Sequence, residues 1–566
     1  MGRHRLLDVA RACACLLIAS APAWGAPSRA TGQPLHGTAD MENGSVIADS
    51  TWTDHDRAAI ARPPDHDRSY WGSRFHQGIT EPIAHIFDIP DKLLWVAHLC
   101  GAPTRREAVN ANAFDEAPNS SWFTNRNTVR AVPVDEMRRG PDPAFLPAKP
   151  WTVKHTKQGG WSPGFQINDA AGKKWLVKLD LRGYPQLSSG ADMVARTLLH
   201  AAGYNVPHNE PVRFVRGDLT IDPDLLSGAK GERFTQADLD SLLARGATLP
   251  GGEFVASASL FLPGHVLGSP NMEKTRPGDS NDWYRNDDRR EVRGLYTVCS
   301  WLNDWDTEDH QFLDTFVEGE DSLGHVEHYI LDAGSTFGAS ATGPKELWEG
   351  YEYAVDFAWT GRRFASLGFV QEPWRRAKQD SGIPSIGMFE STVYEPQKFR
   401  TLVPQPAFRM MTERDAYWGA KLVSSFSDAQ IAAAVESAHF DDPRSGAYLV
   451  ANLIVRRDKI ARYWFARTAP LDFFHVEDGV LCFNDLAADI GLTGNRSYDV
   501  VLERQSALVA ATRVRIATPE WPLASLDPLA ARVALEISIA GSHARPAHVE
   551  LMRRGSGWKV TRVRHG

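Results

Sequence analysis

Lys178 lies inside the apolar run Trp175-Leu-Val-Lys-Leu179, and an ammonium in such a strand is tolerated only where an anion reaches it or water does. A chain with this feature must either place the strand at a sheet edge with Lys178 turned outward, or deliver a carboxylate or a phosphate to a buried strand. The flanking sequence favours a small sheet. Trp151 to Lys157 and Gly164 to Asn168 are strand-like, Gly172 marks a turn, and Lys174 to Leu179 follows as a third strand. A helix comes next, with Ser188 and Ser189 as its expected cap, Ala191, Val194, Ala195, Leu198 and Leu199 on one face, and Gly203 as its end.

Composition narrows the class. The 566 residues allow three or four domains at roughly 150 residues each. With 43% hydrophobic and 23% charged residues the chain is globular, not disordered. A net charge of −8 without a basic block argues against nucleic acid or an anionic membrane surface as the main partner, and no apolar run reaches the roughly 18 residues needed to span a bilayer. Residues 1–25 read as a secretory signal, with Arg3, Arg5 and Arg11 before an apolar stretch and Ala23-Trp24-Gly25 as the cleavage site, so the protein is expected to be exported, periplasmic or secreted. Its mature form would keep Cys100, Cys299 and Cys482, which permit at most one disulfide and are read as small buried hydrophobes.

The remainder divides by pattern. Residues 26–64 read as a linker and 65–150 as a helical and extended segment, with Asn110 to Arg126 a strap pinned by Trp122 and Phe123. Residues 151–270 hold the first strands, and 271–465 are mostly helical, including a helix over Asp287 to Leu302 and helical sequence from Asp415 to Phe465. Gln311 to Val317 and His325 to Leu331 form a hairpin. Short strands in residues 466–566, from Val480 to Val563, suggest a small antiparallel β-sandwich. Arg456 and Arg457 are expected in surface or interdomain salt bridges.

Four features bear on chemistry. Gln158-Gly-Gly-Trp-Ser-Pro-Gly-Phe165 is a glycine-bearing turn whose backbone N–H groups suit phosphate, although most such turns are plain hairpins. Lys178 is the second. The third is the acidic string Asn303-Asp-Trp-Asp-Thr-Glu-Asp-His-Gln-Phe-Leu-Asp314, which as a calcium loop lacks the turn glycine and otherwise reads as a solvated loop. The fourth is His328-Tyr-Ile-Leu-Asp-Ala-Gly-Ser-Thr-Phe-Gly338, where Asp332 ends a strand before a flexible turn and suits magnesium held against a phosphate. His310 and His328 read as loop or surface residues.

The order of these features resembles the atypical protein-kinase-like superfamily, which includes HipA-type, spore-coat CotH and phosphatidylinositol kinases. Asp115 to Arg126, His200 to Pro207 and Asp332 to Gly338 also resemble a group of exported bacterial proteins without assigned function. The resemblance implies an α+β fold: a bilobal protein-kinase-like domain with an N-terminal helical and extended strap and a C-terminal small antiparallel β-sandwich. It makes Lys178 the phosphate-contacting lysine, Gly159, Gly160 and Gly164 the covering loop, and Asp192 the acid in the place of the lysine-pairing glutamate. Asp306 becomes the catalytic-loop aspartate, with Asp332 and Gln311 as metal ligands. Asp192 is one methylene shorter than the family glutamate, and Gln311 stands where the pattern has Asn.

The implied activity is an exported phosphotransferase moving a phosphoryl or nucleotidyl group from ATP or another nucleotide triphosphate, with Mg²⁺ or Mn²⁺, to a hydroxyl on a protein, peptide or glycan. The alternative is a catalytically silent kinase-like scaffold or binding protein of the cell envelope. A third reading, a carbohydrate hydrolase using Asp304 or Asp306 with a distant Glu, draws on the carboxylates and the 18 Trp.

Overall fold

The computed structural model describes residues 54–66, 105–141, 145–157, 161–227, 231–376, 381–502, 513–527 and 529–566. The signal segment 1–25, the 26–53 part of the linker, Cys100, Gly159 and Gly160 lie outside the described residues. The architecture is mixed α+β.

A six-stranded sheet is built from β1 (Trp151–Thr156), β2 (Gly164–Asn168), β3 (Lys174–Leu179), β4 (Asn209–Phe214), β5 (Leu219–Ile221) and β6 (Phe254–Leu260). Its order is β4-β6-β3-β2-β1-β5, antiparallel except for the β1–β5 pair. Strand alternation sends Trp175, Val177 and Leu179 to one face, where they join Val153, Ile167, Phe214 and Leu239 in an apolar core. Lys178 therefore points to the opposite face. Because β3 has partners on both sides, this lysine belongs to an interior strand and not to an edge.

That second face is covered by α1 (Ser188–Ala202), whose apolar residues belong to a separate, helical core. The sequence suggested Ser188 and Ser189 as the helix cap, but the anchor comes from the sheet. Asp180, the residue after β3, accepts from the backbone N–H groups of Gln186 (3.0 Å), Ser188 (2.9 Å) and Ser189 (2.9 Å) and from the Ser189 hydroxyl (2.5 Å). A short serine side chain already in the helix cannot satisfy several of the N–H groups left open at a helix start, whereas a carboxylate from outside can.

In the helical part, α2 (Arg290–Leu302) is buried along its length. Its first turn holds the strap: Glu291 accepts from Asn110 Nδ2 (2.7 Å) and Ser120 Oγ (3.0 Å), and Arg290 binds Asp115 (3.0 Å). Trp122 and Phe123 are buried in the helical core. The C-terminal end of α2 is held by Arg456, which donates to the carbonyls of Ser300 (2.6 Å), Trp301 (2.8 Å) and Glu390 (2.8 Å). Arg456 is buried and so departs from the expected surface salt bridge, because a guanidinium suits the open carbonyls at a helix end. Arg457 does pair with Asp428 and Asp458.

Three strands after β6 form a second sheet: β7 (His265–Gly268), β8 (Phe312–Glu318) and β9 (Leu323–Ile330), with β8 and β9 the expected hairpin. The pair Ile60–Ala61 adds to its β9 edge, and Asp54 and Asp56 bind the buried Arg289, so the stretch read as linker is docked from Asp54 onward. His328 is likewise no surface residue; it is buried, stacked on Trp122 at 4.1 Å and bonded to Asp314 at 2.6 Å.

The helical sequence from Asp415 divides into α3 (Glu413–Ser424), α4 (Asp428–Glu436, capped by Ser427) and α5 (Pro443–Phe465). The C-terminal residues form a three-stranded and a five-stranded antiparallel sheet over one apolar core. They include two strands that sequence patterning passed over, Leu471–Glu477 and Glu520–Pro522. Cys299 is buried, Cys482 is half-buried, and both are free thiols.

Burial pushes the Asp180 carboxyl up to about 6, and its four donors hold it back from rising further. Asp180→Ala is expected to cost roughly 2–4 kcal/mol by leaving buried helix-start N–H groups open. Because the folded pKa lies above the unfolded one, this group contributes most below pH 4 and less as pH rises through 6. Thermal denaturation should therefore show a larger Asp180→Ala penalty at pH 4 than at pH 7.5. The reverse order would mean that the donors outweigh burial.

Candidate functional site

The open end of the β8–β9 hairpin assembles the site. Its register pairs Phe312 with Ile330, and one step beyond the Leu331 N–H donates to the Gln311 carbonyl (2.8 Å). Asp332 and the acidic segment after α2 are thereby brought side by side. That segment leaves the helix through Asn303, which adopts the left-handed conformation (φ 54°), and the Asp304 N–H returns to the Cys299 carbonyl (2.9 Å). Gln311 Nε2 donates to Asp306 Oδ2 at 2.7 Å. Phe337 N–H to the Leu302 carbonyl (2.9 Å) and Trp305 Nε1 to the Ala339 carbonyl (3.3 Å) fasten the same segment to the chain following Asp332.

Asp332 meets the sheet at Lys178, with Nζ and Oδ1 3.0 Å apart. The Gly334 N–H donates to the same carboxylate oxygen (3.0 Å). Gly334 is required here because a Cβ would lie 2.8 Å from Ser188 Oγ and 3.2 Å from Asp332 Oδ1. The turn after Asp332 thus rests on the start of α1, the helix that Asp180 ties to β3.

Asp192, on α1, is buried and accepts from Asn209 Nδ2 at 2.9 Å. Its carboxyl is raised by burial, with the Lys178 charge opposing. For Lys178, burial opposes its charge, but Asp332 and then Asp192 outweigh burial and hold the ammonium above its usual range. Asp332 is pushed up by burial, the largest single influence, but the charge and hydrogen bond of Lys178, the Gly334 N–H and the charge of Lys157 together outweigh it, so the carboxyl stays below its ordinary range. Asp304, only 2% exposed, is driven well above that range by burial and then by the charges of Asp306 and Asp332.

Lys178, Asp192, Asp304, Asp306, Gln311 and Asp332 are therefore neighbours. Gly164 stands opposite Lys178 in the β2–β3 register, and a Cβ there would lie 2.5 Å from the Val177 carbonyl oxygen. Its need for glycine is met by strand packing. Sequence reasoning passed over Lys157, whose ammonium is lowered by burial and by the charge of Lys178 and which also feels Asp332. Its position at the end of β1, just before the glycine turn, is the signal that could have found it. Glu308, weighed in the sequence with Asp304 and Asp306 as a calcium loop and set aside for want of a turn glycine, and His310, read as a loop or surface residue, join Asp306 in placing a ligand atom each within 4.8 Å of one another.

Asp192 and Asp332 thus act on the ammonium of Lys178, Asp332 also acts on that of Lys157, and Asp304 feels the charges of Asp306 and Asp332. The carboxylates of Asp332 and Asp306 and the amide oxygen of Gln311 are oxygen ligands of the kind that fits a hard divalent cation such as Mg²⁺ or Mn²⁺.

No family model matches the sequence, and no curated protein matches it. Among solved structures, similarity is found to the Helicobacter pylori proinflammatory kinase CtkA, with 9% identity, TM-score 0.28 and coverage of 53% of this chain and 94% of that one. The Golgi casein kinase is similar at 10% identity and TM-score 0.28, over 73% of this chain and 94% of that one. The same kinase with Mn/ADP bound gives 11% identity and TM-score 0.22, over 50% and 74%. All three are kinases, and TM-scores this low leave any functional reading to rest on the residues themselves.

Lys178→Met should expose the strength of the central pair. Asp332 is depressed and Lys178 raised, so their mutual stabilisation is present from above the unfolded carboxyl pKa up to the lysine range and is lost as acid protonates Asp332. With the Asp332 side chain 34% exposed, screening reduces the cost to roughly 1–3 kcal/mol near pH 7.5. The difference in Tm from the parent chain should hold down to about pH 4 and shrink only as the pH falls further. A pH-independent difference would show that packing of the lysine stem, not its charge, is what the substitution removes.

Proposed function

We propose that the protein is an exported, kinase-like phosphotransferase that transfers a phosphoryl or nucleotidyl group from a metal-bound nucleotide triphosphate to a hydroxyl acceptor. The observation that carries this reading is the meeting of Lys178, from an interior strand, with Asp332, from the end of the hairpin, beside Asp306 and Gln311 at the hairpin's other strand. Phosphoryl transfer needs positioned positive charge for the phosphates, a carboxylate for the metal and a carboxylate near the acceptor, and little else from the protein.

In this reading the site lies between a sheet-bearing lobe and a helical lobe. Lys178 contacts the donor's inner phosphates, and Lys157 adds positive charge at the same side. Asp332 and Gln311 would hold the divalent cation, which supplies charge neutralisation of the phosphates when bound. Asp306 accepts or orients the acceptor hydroxyl proton, with Gln311 Nε2 fixing one of its oxygens. Asp192 acts behind Lys178, its buried carboxyl restraining the ammonium. The acceptor is a protein, peptide or glycan hydroxyl.

The silent-scaffold reading draws on one feature of the same geometry. Gln311 turns its amide nitrogen to Asp306, and Lys178 and Asp332 already neutralise one another. A site of that kind could persist as a structural lock.

Nucleotide binding separates the two. In the phosphotransferase reading, ATP or GTP with Mg²⁺ or Mn²⁺ raises the Tm saturably, by about 2.7 kcal/mol of stabilisation at a hundredfold excess over Kd. Asp332→Ala abolishes the rise while the chain stays folded by circular dichroism. A flat response of the folded parent chain to every triphosphate and metal tried would sink the phosphotransferase reading and leave the scaffold.

A further inference from the structure

We propose that Asp306, Glu308 and His310 form a second cation site, on the acceptor side, that takes a first-row divalent transition metal such as Mn²⁺ in preference to Mg²⁺. The inference deepens the phosphotransferase reading and rests on it for the place of Asp306 beside the acceptor. The three side chains come from one short segment between α2 and β8, and one ligand atom from each lies within 4.8 Å of the others. His310 Nδ1 is 3.2 Å from Glu308 Oε2. The segment is braced rather than loose: Gln311 Nε2 donates to Asp306 Oδ2 (2.7 Å), and the Gln311 N–H donates to the Glu308 carbonyl (2.8 Å).

Asp304 supplies an independent observation. It is 2% exposed, its Oδ1 has no hydrogen-bond partner, and it stands two residues before Asp306 in the same braced segment. A buried carboxyl oxygen without a donor is accounted for by a cation arriving beside it.

The donor chemistry sets the preference. Magnesium favours oxygen ligands and retains its waters, whereas a site with one imidazole nitrogen and two carboxylates suits Mn²⁺ and its neighbours in the first transition row. The Asp332 and Gln311 pair offers only oxygen on the donor-phosphate side, so the two positions differ in ligand type as well as in place. A metal at the trio would put positive charge next to the acceptor oxygen.

Mn²⁺ titration of the nucleotide-free full chain, followed by electron paramagnetic resonance of the free ion, tests the site without relying on turnover. The expected result is one saturable Mn²⁺ site that excess Mg²⁺ displaces poorly. His310→Ala and Glu308→Gln should each weaken it about tenfold or more, and Asp332→Ala should leave it in place. His310 is partly exposed, so His310→Gln is the second variant if the alanine chain misfolds. Unchanged Mn²⁺ affinity in folded His310 and Glu308 variants overturns the proposal, as does equal affinity for Mg²⁺ or loss of the site in Asp332→Ala alone. Failure of the phosphotransferase reading looks different: Mn²⁺ binds at the trio, and no triphosphate binds anywhere.

Discussion

The carboxylate of Asp180 fixes the relation between the sheet and the helix that covers it. Its four hydrogen bonds bind the residue after β3 to the start of α1, so Lys178 and Asp192 are held to one face by a link only a few residues from each. The turn after Asp332 then uses that helix start as a floor, through Gly334 against Ser188 and Thr336 Oγ1 to the Ala191 carbonyl (3.4 Å). If α1 shifted along the sheet, both carboxylates around Lys178 would move with it. The lysine's tolerance of burial is thus a property of the whole junction, not of a single ion pair.

A surplus of negative charge follows from the same junction. Lys178 is neutralised locally, and Asp192 and Asp304 remain as buried carboxyls whose ionised forms are disfavoured. A fold selected for stability alone would replace such groups with apolar ones of similar size. Their presence beside a hairpin end, where a carboxylate, an amide and an imidazole converge, is the physical ground on which the proposed cation and phosphate chemistry rests.

Much of the fold was legible in the sequence because it rests on local periodicity. The interior strands, α1, α2 and the β8–β9 hairpin all appear within a few residues of their patterned positions, since alternation and 3.6-residue spacing record which face is buried. Lys178 stood out for the same reason. The helix anchor at Asp180 was not legible, because a carboxylate six to nine residues upstream of its N–H partners leaves no spacing signature. Arg456 misled for a related reason: two of its three carbonyl partners lie on α2, more than 150 residues away, and an arginine on a helix reads as surface until its burial is known. Lys157, Glu308 and His310 gain significance only from neighbours that the fold brings to them, and the short edge strand Glu520–Pro522 carries too few residues to show alternation.

The C-terminal sheets bear on the site through the same long helix. His565, on the final strand, binds Asp115 through both its backbone N–H (2.9 Å) and its ring (3.1 Å), and Asp115 also binds Arg290 and Arg414. The two arginines and His565 outweigh the burial of Asp115 and hold its carboxyl far below the usual range. Arg290 opens α2, and the far end of α2, clamped by Arg456, launches the Asp304–Asp306 segment. A buried ion cluster therefore joins the last strand of the chain to the first turn of the helix whose other end carries the acidic loop. Removing a partner from such a cluster leaves an uncompensated buried charge at the root of α2, and a helix this rigidly packed transmits a displacement at one end to the other. The C-terminal sheets are in this sense part of the structure that aims Asp306.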